Sequence, residues 1–579
     1  MRTRTLFLAG LSCLVFPLAA CSSGSSDPGT NPGVDTGTPG DDSTPPDDSS
    51  TTDGIADATD APSVDAPPPG PCTVKKGTAG VAIKGTLLSP SGPTYGEVLV
   101  GADGKIACVD ASCATNPAYA AATQIECPSG VVSPGLINAH DHTEYGTVGP
   151  IAHATTRWQH RNGWRTGAAP CSGCAKEPKL SGTPKSTTDV KIIAASELRF
   201  VLGGATSVVG SGAAPGLMRN LAAFKDEAKL EGLTGATVFF DTFPLGDSSG
   251  TELSSGCGYP SIRSVSSAFS SGGSYSPHIS EGINLAAENE FTCLKGSLIT
   301  AQTAIIHGVG LNANDVDVIA KAKAKVVWSA RTNVDLYGNT APIPELKRAG
   351  ITIALGTDWL ASGSMNMLRE LQCADSLNQK YFAKTLTDRE LWEAATKNAA
   401  IATKFDSQIG ELKVGLVGDI AVFDGTTNKD YRAVIDAGVE DVKLVLRGGK
   451  PLYGDADLTA ALATTCGALD VCGSAKSVCL DVPGVALADV QASATAIYPL
   501  FFCKGTTPTN EPSCIPYRDT YPAGTSATDR DGDGIADATD ICPDVFDPIR
   551  TMDGTKQSDV DSDGAGDACD SAPLDPATK

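Results

Sequence analysis

Between residues 73 and 130 the chain reads as short runs in which apolar or β-branched residues alternate with polar ones. The runs are GVAIKGTLLS, GEVLVGADGKIACVDA and TQIECPSGVVSPG, parted by Gly, Pro and Ser. A period of two between turn residues predicts a β-rich unit over 73–132. From about residue 187 the period lengthens. STTDVKIIAASELRFVLGG predicts a helix, ATSVVGSG a strand and APGLMRNLAAFKDEA another helix. The alternation runs on through GATVFFDTF (strand), SEGINLAAENEFTCLKG (helix), TAIIHGVGL (strand) and NANDVDVIAKAKA (helix). KVVWSA (strand), PIPELKRAG (helix) and ITIALGTDW (strand) complete it. Short alternating strands then return in IGELKVGLVGDIAVFDG and VKLVLRGGKPLYG.

Strands alternating with helices of about ten to fifteen residues imply an α/β fold around a parallel sheet. About 280 residues of it, 133–412, is the usual size of a (β/α)8 TIM barrel. An open doubly wound sheet is the alternative, but no Gly-rich phosphate loop follows any early strand. The strand-rich pieces on either side, 73–132 and 413–455, are expected to meet in one composite β-sandwich. Residues 456–528 form a separate Cys-containing region.

Composition alters this picture mainly at the ends. Residues 1–20 carry two arginines and the apolar run LFLAGLSCLVFPLAA, the make-up of a secretory signal and too short to span a membrane. LAAC at 18–21 resembles the lipobox of bacterial lipoproteins, which makes Cys21 the expected lipidation site and the lipid the only membrane anchor. An ordinary signal with a chance cysteine is the bland alternative. Ser22 after it resembles lipoproteins directed to the outer membrane or cell surface. Residues 21–72 are a Ser, Thr, Pro and Asp linker, too poor in large apolar residues to fold.

The linker holds ten aspartates and no basic residue, and residues 529–579 hold fourteen against four Lys or Arg. These segments contribute −10 each to a net charge of −23, so the central region is nearly neutral. Neither tail suits nucleic acid. Of eighteen cysteines, Cys13 leaves with the signal and Cys21 is lipidated. An even sixteen remain, which in an exported chain predicts disulfides. Cys171/Cys174, Cys466/Cys472 and Cys503/Cys514 are close enough in sequence to be candidate bridges. Cys171-x-x-Cys174 has no second such pair to complete a zinc ribbon.

Six histidines carry the candidate chemistry. In GLINAHDHTEY, His140 and His142 stand two apart at a strand end, so both imidazoles share a face while Asp141 points elsewhere. Barrel strand ends face the active-site mouth. Two imidazoles on one side are a partial zinc site. His278 in YSPHISEGI, His307 in TAIIHG and Asp358 in ITIALGTDW close three other predicted strands, as one site at the mouth requires.

SPGLINAHDH, HISE, IIHG, LGTDW and ATKNAAIATKF…IGELKVGLVGDIAVFDG together resemble the amidohydrolase superfamily over roughly residues 76–455. The resemblance implies a metal-dependent barrel enzyme with a flanking sandwich, and places Asn398–Ala400 and Gly415–Ile420 in structural positions. It implies that His140, His142, His278 and Asp358 hold one divalent transition metal, zinc or iron. His307 either ligates or polarises the developing oxyanion. GATVFFDTF lacks the lysine that binuclear relatives carboxylate; Asp241 stands there as packing or a cap. The His278-x-x-Glu281 spacing resembles the mononuclear deaminase-like and chlorohydrolase-like branch, or imidazolonepropionase. It implies that Asp358 takes a proton from water and that Glu281, one helical turn after His278, delivers it to the leaving nitrogen. The bland alternative for Glu281 is a helix N-terminal residue stabilised by the dipole.

His153 and His160 lie in IAHATTRWQHRNGWR, a long loop over the mouth. Arg157, His160 and Arg165 are candidate contacts for a polar or anionic small-molecule substrate, with Trp158 and Trp164 as apolar walls. A surface loop with solvated arginines is the alternative.

In the tail, DRDGDGIADATD and DVDSDGAGDACD place Asp529, Asp531, Asp533, Asp537 and Asp540, then Asp559, Asp561, Asp563, Asp567 and Asp570, at calcium-loop spacing with Gly at position six. With Cys542 and Cys569 beside them, the 529–575 segment resembles thrombospondin type 3 repeats, which implies bound calcium. A merely solvated acidic tail is the alternative. The copy DGIADATD at 53–60 lacks the first two ligands.

The sequence thus predicts a surface-anchored hydrolase of non-peptide carbon–nitrogen bonds, acting on a cyclic amide, amidine or amino-heterocycle. The competing reading is a catalytically degenerate binding or adhesion lipoprotein whose calcium repeats make contacts.

Overall fold

The structure, a computed structural model, describes residues 70–222 and 230–579. The expected signal, Cys21 and nearly all of the linker lie outside the described residues. Among the described residues no helix is long and apolar enough to cross a membrane.

Eight short strands run parallel in sequence order: Leu136–Asp141, Ala205–Gly210, Arg219–Asn220, Phe239–Asp241, Tyr275–Ile279, Ala304–His307, Lys325–Trp328 and Ile353–Leu355. They fall into a three-stranded and a five-stranded sheet. Backbone bonds link the two at both edges. Val238 N donates to Leu221 O at 2.9 Å, and Asp358 N to His140 O at 3.0 Å. The result is a TIM-barrel-like α/β fold. Ile137, Ala139, Val209, Ile306, Val327 and Ala354 form one apolar cluster. Their neighbours Leu136, Val208, Ile305, Val326 and Leu355 pack with the surrounding helices, as a period of two requires.

The helices begin where the sequence offers caps. Asp189, Asn284, Asn312 and Asn366 each accept a backbone N–H in the first turn of the helix that follows. Within the segment APGLMRNLAAFKDEA, where a helix is expected, the described residues instead form the third strand, Arg219–Asn220. Its buried side chains explain the difference: Arg219 pairs with Asp419, and Asn220 donates to Gly210 O at 2.9 Å.

A ten-stranded sheet combines strands from before and after this unit. Thr123–Pro134 pairs antiparallel with Ile420–Asp424, Val132 opposite Val422. Val81, Ile83, Val98, Val132, Val422 and Leu444 are buried on it together. The sheet runs past the expected end at 455 and takes in the hairpin Gly467–Val471 and Ser474–Val478.

All sixteen described cysteines are paired. Cys171–Cys174 forms as the spacing suggested. The other two expected bridges do not: Cys466 joins Cys479, Cys472 joins Cys503 and Cys514 joins Cys373. Folding brings Cys373 and Cys514 together across a separation of 141 residues, which proximity in sequence does not reveal.

Candidate active site

His140, His278, His307 and Asp358 converge at the ends of strands one, five, six and eight, with their ligand atoms within 4.8 Å of one another. His140 Nε2 lies 3.2 Å from both His278 Nε2 and Asp358 Oδ1. His142 adjoins this group from the cavity side, its Nε2 3.5 Å from Asp358 Oδ1. Asp141 turns away and accepts from Thr357 Oγ1 at 2.6 Å.

Three of the candidate ligands, His278, His307 and Asp358, are oriented from behind. His278 Nδ1–H donates to the Asp241 carbonyl at 3.2 Å, which leaves the Nε2 lone pair facing His140. His307 Nδ1 donates to Asn333 Oδ1 at 3.0 Å. Asp358 Oδ2 accepts from Thr332 Oγ1 at 3.1 Å. Asp241 itself forms a two-pronged ion pair with Arg263. His307 and Asp358 both hold left-handed backbone angles, φ 72° and 65°. Non-glycine residues occupy that region at a cost, so the surrounding structure imposes these side-chain directions.

Burial pushes His140 and His278 well below the usual imidazole range, helped by the neighbouring imidazoles. It takes His142 down to about 3. His140, His142 and His278 are therefore neutral, the form that ligates. His278 and His307 spend their Nδ1 protons on Asp241 O and Asn333 Oδ1, which leaves both Nε2 lone pairs free beside His140 and a carboxylate, so this donor set fits a divalent transition metal.

Glu281 comes to the site from the bend after strand five. The next helix starts at Leu285 with Asn284 as its cap, so Glu281 is neither in a helical turn nor in the helix's first turn. It is buried. Tyr337 OH donates to its Oε1 at 2.6 Å, and Oε2 lies 3.8 Å from both His307 Nε2 and Arg161 Nη1. Trp164 Nε1 donates to Tyr337 OH at 3.0 Å.

A cavity of about 450 Å³ opens onto these groups. Its walls include Tyr145, Trp164, Phe240, Phe243 and Trp359, with Arg161 and Arg165 on one side. Trp164 is thus on the wall. Arg157 and His160 are not. Arg157 donates to the Ala154 and Thr156 carbonyls and lies over Tyr517. His160 is buried between Glu252 and Glu290, at 3.3 and 3.1 Å. Trp158 is buried too, its Nε1 donating to Pro178 O. The loop is fastened to the Glu281 bend by Arg161 N to Glu281 O and Ile283 N to Gln159 O, at 3.0 and 2.8 Å. Arg161, Thr332, Asn333 and Tyr337 had no motif to mark them.

The tail aspartates sort differently from their spacing. Asp531, Asp533 and Asp540 group with Asp547, a residue outside both twelve-residue loops, and Asp559, Asp561 and Asp563 form a second group. Asp529 accepts from Gly532 N and Gly534 N. Asp537 accepts from Arg530, and Asp567 from Ser558 and Val560 N. Asp570 is buried and accepts from Ala572 N.

Residues 276–452 match the Amidohydrolase family. The 5-methylthioadenosine/S-adenosylhomocysteine deaminase of Halobacterium salinarum is 35% identical over 130 residues, which is 22% of this chain and 30% of that protein. The enzyme of the same name from Thermoanaerobacter pseudethanolicus is 32% identical over 125 residues, 21% of this chain and 29% of its own. The chain therefore spans less than a third of either relative. Zinc-complexed atrazine chlorohydrolase from Arthrobacter aurescens is a structural neighbour at 17% identity and TM-score 0.46, over 74% of this chain and 100% of that one. The matched segment carries His278, Glu281, His307 and Asp358.

Proposed function

We propose that the protein is a metal-dependent hydrolase of non-peptide carbon–nitrogen bonds, with a planar ring compound as substrate. One observation carries the reading: three imidazoles and a carboxylate converge beside a buried glutamate on an aromatic-walled cavity. His140, His142, His278 and Asp358 would hold the ion, with His307 Nε2 beside them. A divalent transition metal held there supplies a Lewis acid that brings the pKa of water toward neutrality.

The protein's own groups do the rest. Asp358, fixed by Thr332, takes the proton of the attacking water. The indole N–H of Trp164 can only donate, so Tyr337 must give its own proton to Glu281 Oε1. Oε1 is thus occupied as an acceptor, and Oε2 is the oxygen left to pass a proton to the departing nitrogen. Trp164 and Trp359, with ring centroids 5.4 Å apart, offer flat apolar surface to a heterocycle. The names of the two deaminases, whose substrates are adenosine derivatives, favour an amino-heterocycle. A panel of aminopurines, aminopyrimidines, cyclic amides and amidines tests this by ammonia release and ring opening. Turnover of at least one, lost in Asp358→Asn, is expected; no turnover of any by metal-loaded protein contradicts the proposal.

The Leu18–Cys21 sequence supports export as a lipoprotein of the outer membrane or cell surface, which mass spectrometry of the mature N-terminus tests. The loop spacing supports calcium binding by the tail, which calorimetry with calcium tests.

A further inference from the structure

The helix Ala330–Tyr337 supplies Thr332 to Asp358, Asn333 to His307 and Tyr337 to Glu281. Three groups of the candidate site thus take their orientation from one helix of eight residues. That helix is held from outside by the C-terminal region. Arg331 donates to Pro512 O and pairs with Glu511 at 3.5 Å. Arg518 Nη1 donates to Tyr337 O at 2.8 Å and to Trp158 O at 3.1 Å. Tyr521 OH donates to Gly338 O at 3.3 Å.

The acidic loop sits directly behind these contacts. A Cβ on Gly534 would meet Thr520 O at 2.3 Å and Tyr521 Cβ at 3.1 Å, so the loop lies flush against the Arg518–Tyr521 turn. Phe546, next to Asp547, packs its ring 5.5 Å from that of Tyr521 and donates its N–H to Tyr381 O at 2.8 Å.

Within the loop, one oxygen of each carboxylate is satisfied from behind. Asp531 Oδ1 accepts from Asp533 N, Asp533 Oδ1 from Ile535 N and Asp540 Oδ1 from Cys542 N. Gln557 Nε2 donates to Asp547 Oδ1 at 2.9 Å. The second oxygens of Asp531, Asp540 and Asp547 are buried with no hydrogen-bond partner. Asp531 is only 1% exposed. Buried carboxylate oxygens left without donors and set among one another call for a hard cation.

We propose that Asp531, Asp533, Asp540 and Asp547 hold a divalent cation of the calcium class, and that this cation, through Tyr521 and Arg518, fixes the helix Ala330–Tyr337 and the three site groups it orients. This rests on the calcium reading of the tail and adds the link to the active site. Arg518 and Tyr521 are then positioning residues.

Hydrogen exchange of the full-length protein, read by mass spectrometry in calcium-free buffer and in millimolar calcium, tests the link. Calcium is expected to slow exchange about tenfold or more in both 517–547 and 330–341. The helix Val190–Leu202 serves as an unchanged control, and transition-metal content is measured on the same samples. Asp531→Asn should show the calcium-free pattern in either buffer. Arg518→Ala should keep calcium protection of the tail and lose it in 330–341. Protection of the tail alone in the unmodified protein would overturn the link while leaving calcium binding intact. No response in either region, with no calcium binding by calorimetry, would overturn the calcium reading and the link with it.

Discussion

Tyr337 donates its phenolic proton to Glu281 Oε1 at 2.6 Å, and the direction is set because Trp164 Nε1 already donates to the same phenol oxygen. Burial, with Glu281 beside it, pushes the phenol well above its ordinary range, so it stays a donor at any working pH.

Tyr337→Phe removes that donor and keeps the ring. A hydrogen bond to a charged group contributes about 1.5–3 kcal/mol. The expected result is a loss of about 10- to 100-fold in kcat/KM with transition-metal content unchanged, checked by steady-state kinetics and elemental analysis.

Asp358→Asn keeps the shape of the side chain and removes the proton acceptor. Loss of at least about 10²-fold in kcat is expected, in line with general base catalysis. Activity near that of the unmodified protein would remove Asp358 from the mechanism.

Gly356 passes close to the first ligand strand. A Cβ there would lie 2.8 Å from His140 Cβ, 2.9 Å from His140 N and 3.0 Å from His140 O, atoms that cannot yield without moving the ligand. Gly356→Ala should destabilise the fold by about 1–3 kcal/mol and lower metal content, measured by thermal unfolding and elemental analysis.

His160 provides a pH test distinct from the metal ligands. Burial alone would lower its pKa, but the hydrogen bond to Glu290 and the charges of Glu252 and Glu290 together outweigh burial and raise it to about 10. A raised folded-state pKa gives stability that is full below the unfolded value of 6.5. That contribution, on the order of a few kcal/mol, declines above 6.5 and is gone beyond about 10. The melting temperature of the unmodified protein should therefore fall more steeply from pH 7 to 10 than that of His160→Gln.

The convergence of the candidate metal ligands was legible because chemistry and strand ends coincide: His140, His142, His278, His307 and Asp358 each close an apolar run. Their supports were not. Thr332, Asn333 and Tyr337 lie within one helix whose pattern reads only as packing, and their partners are 26, 26 and 56 residues away in sequence. Arg161 sits between two arginines the loop made equally plausible; only the fold turns it inward, to Asp247 at 2.6 Å. The third strand was hidden because a two-residue strand carries no period, and Leu217, Met218 and Leu221 beside it read as a helical face. In the tail, spacing located the loops but not Asp547, which only folding brings to them.

Elemental analysis of the purified protein, set beside that of His278→Ala, tests whether the His and Asp cluster holds a transition metal. About one equivalent of zinc or a similar metal is expected in the unmodified protein and its loss in the variant, with the fold retained by circular dichroism. No stoichiometric transition metal, or equal content in both proteins, would contradict it.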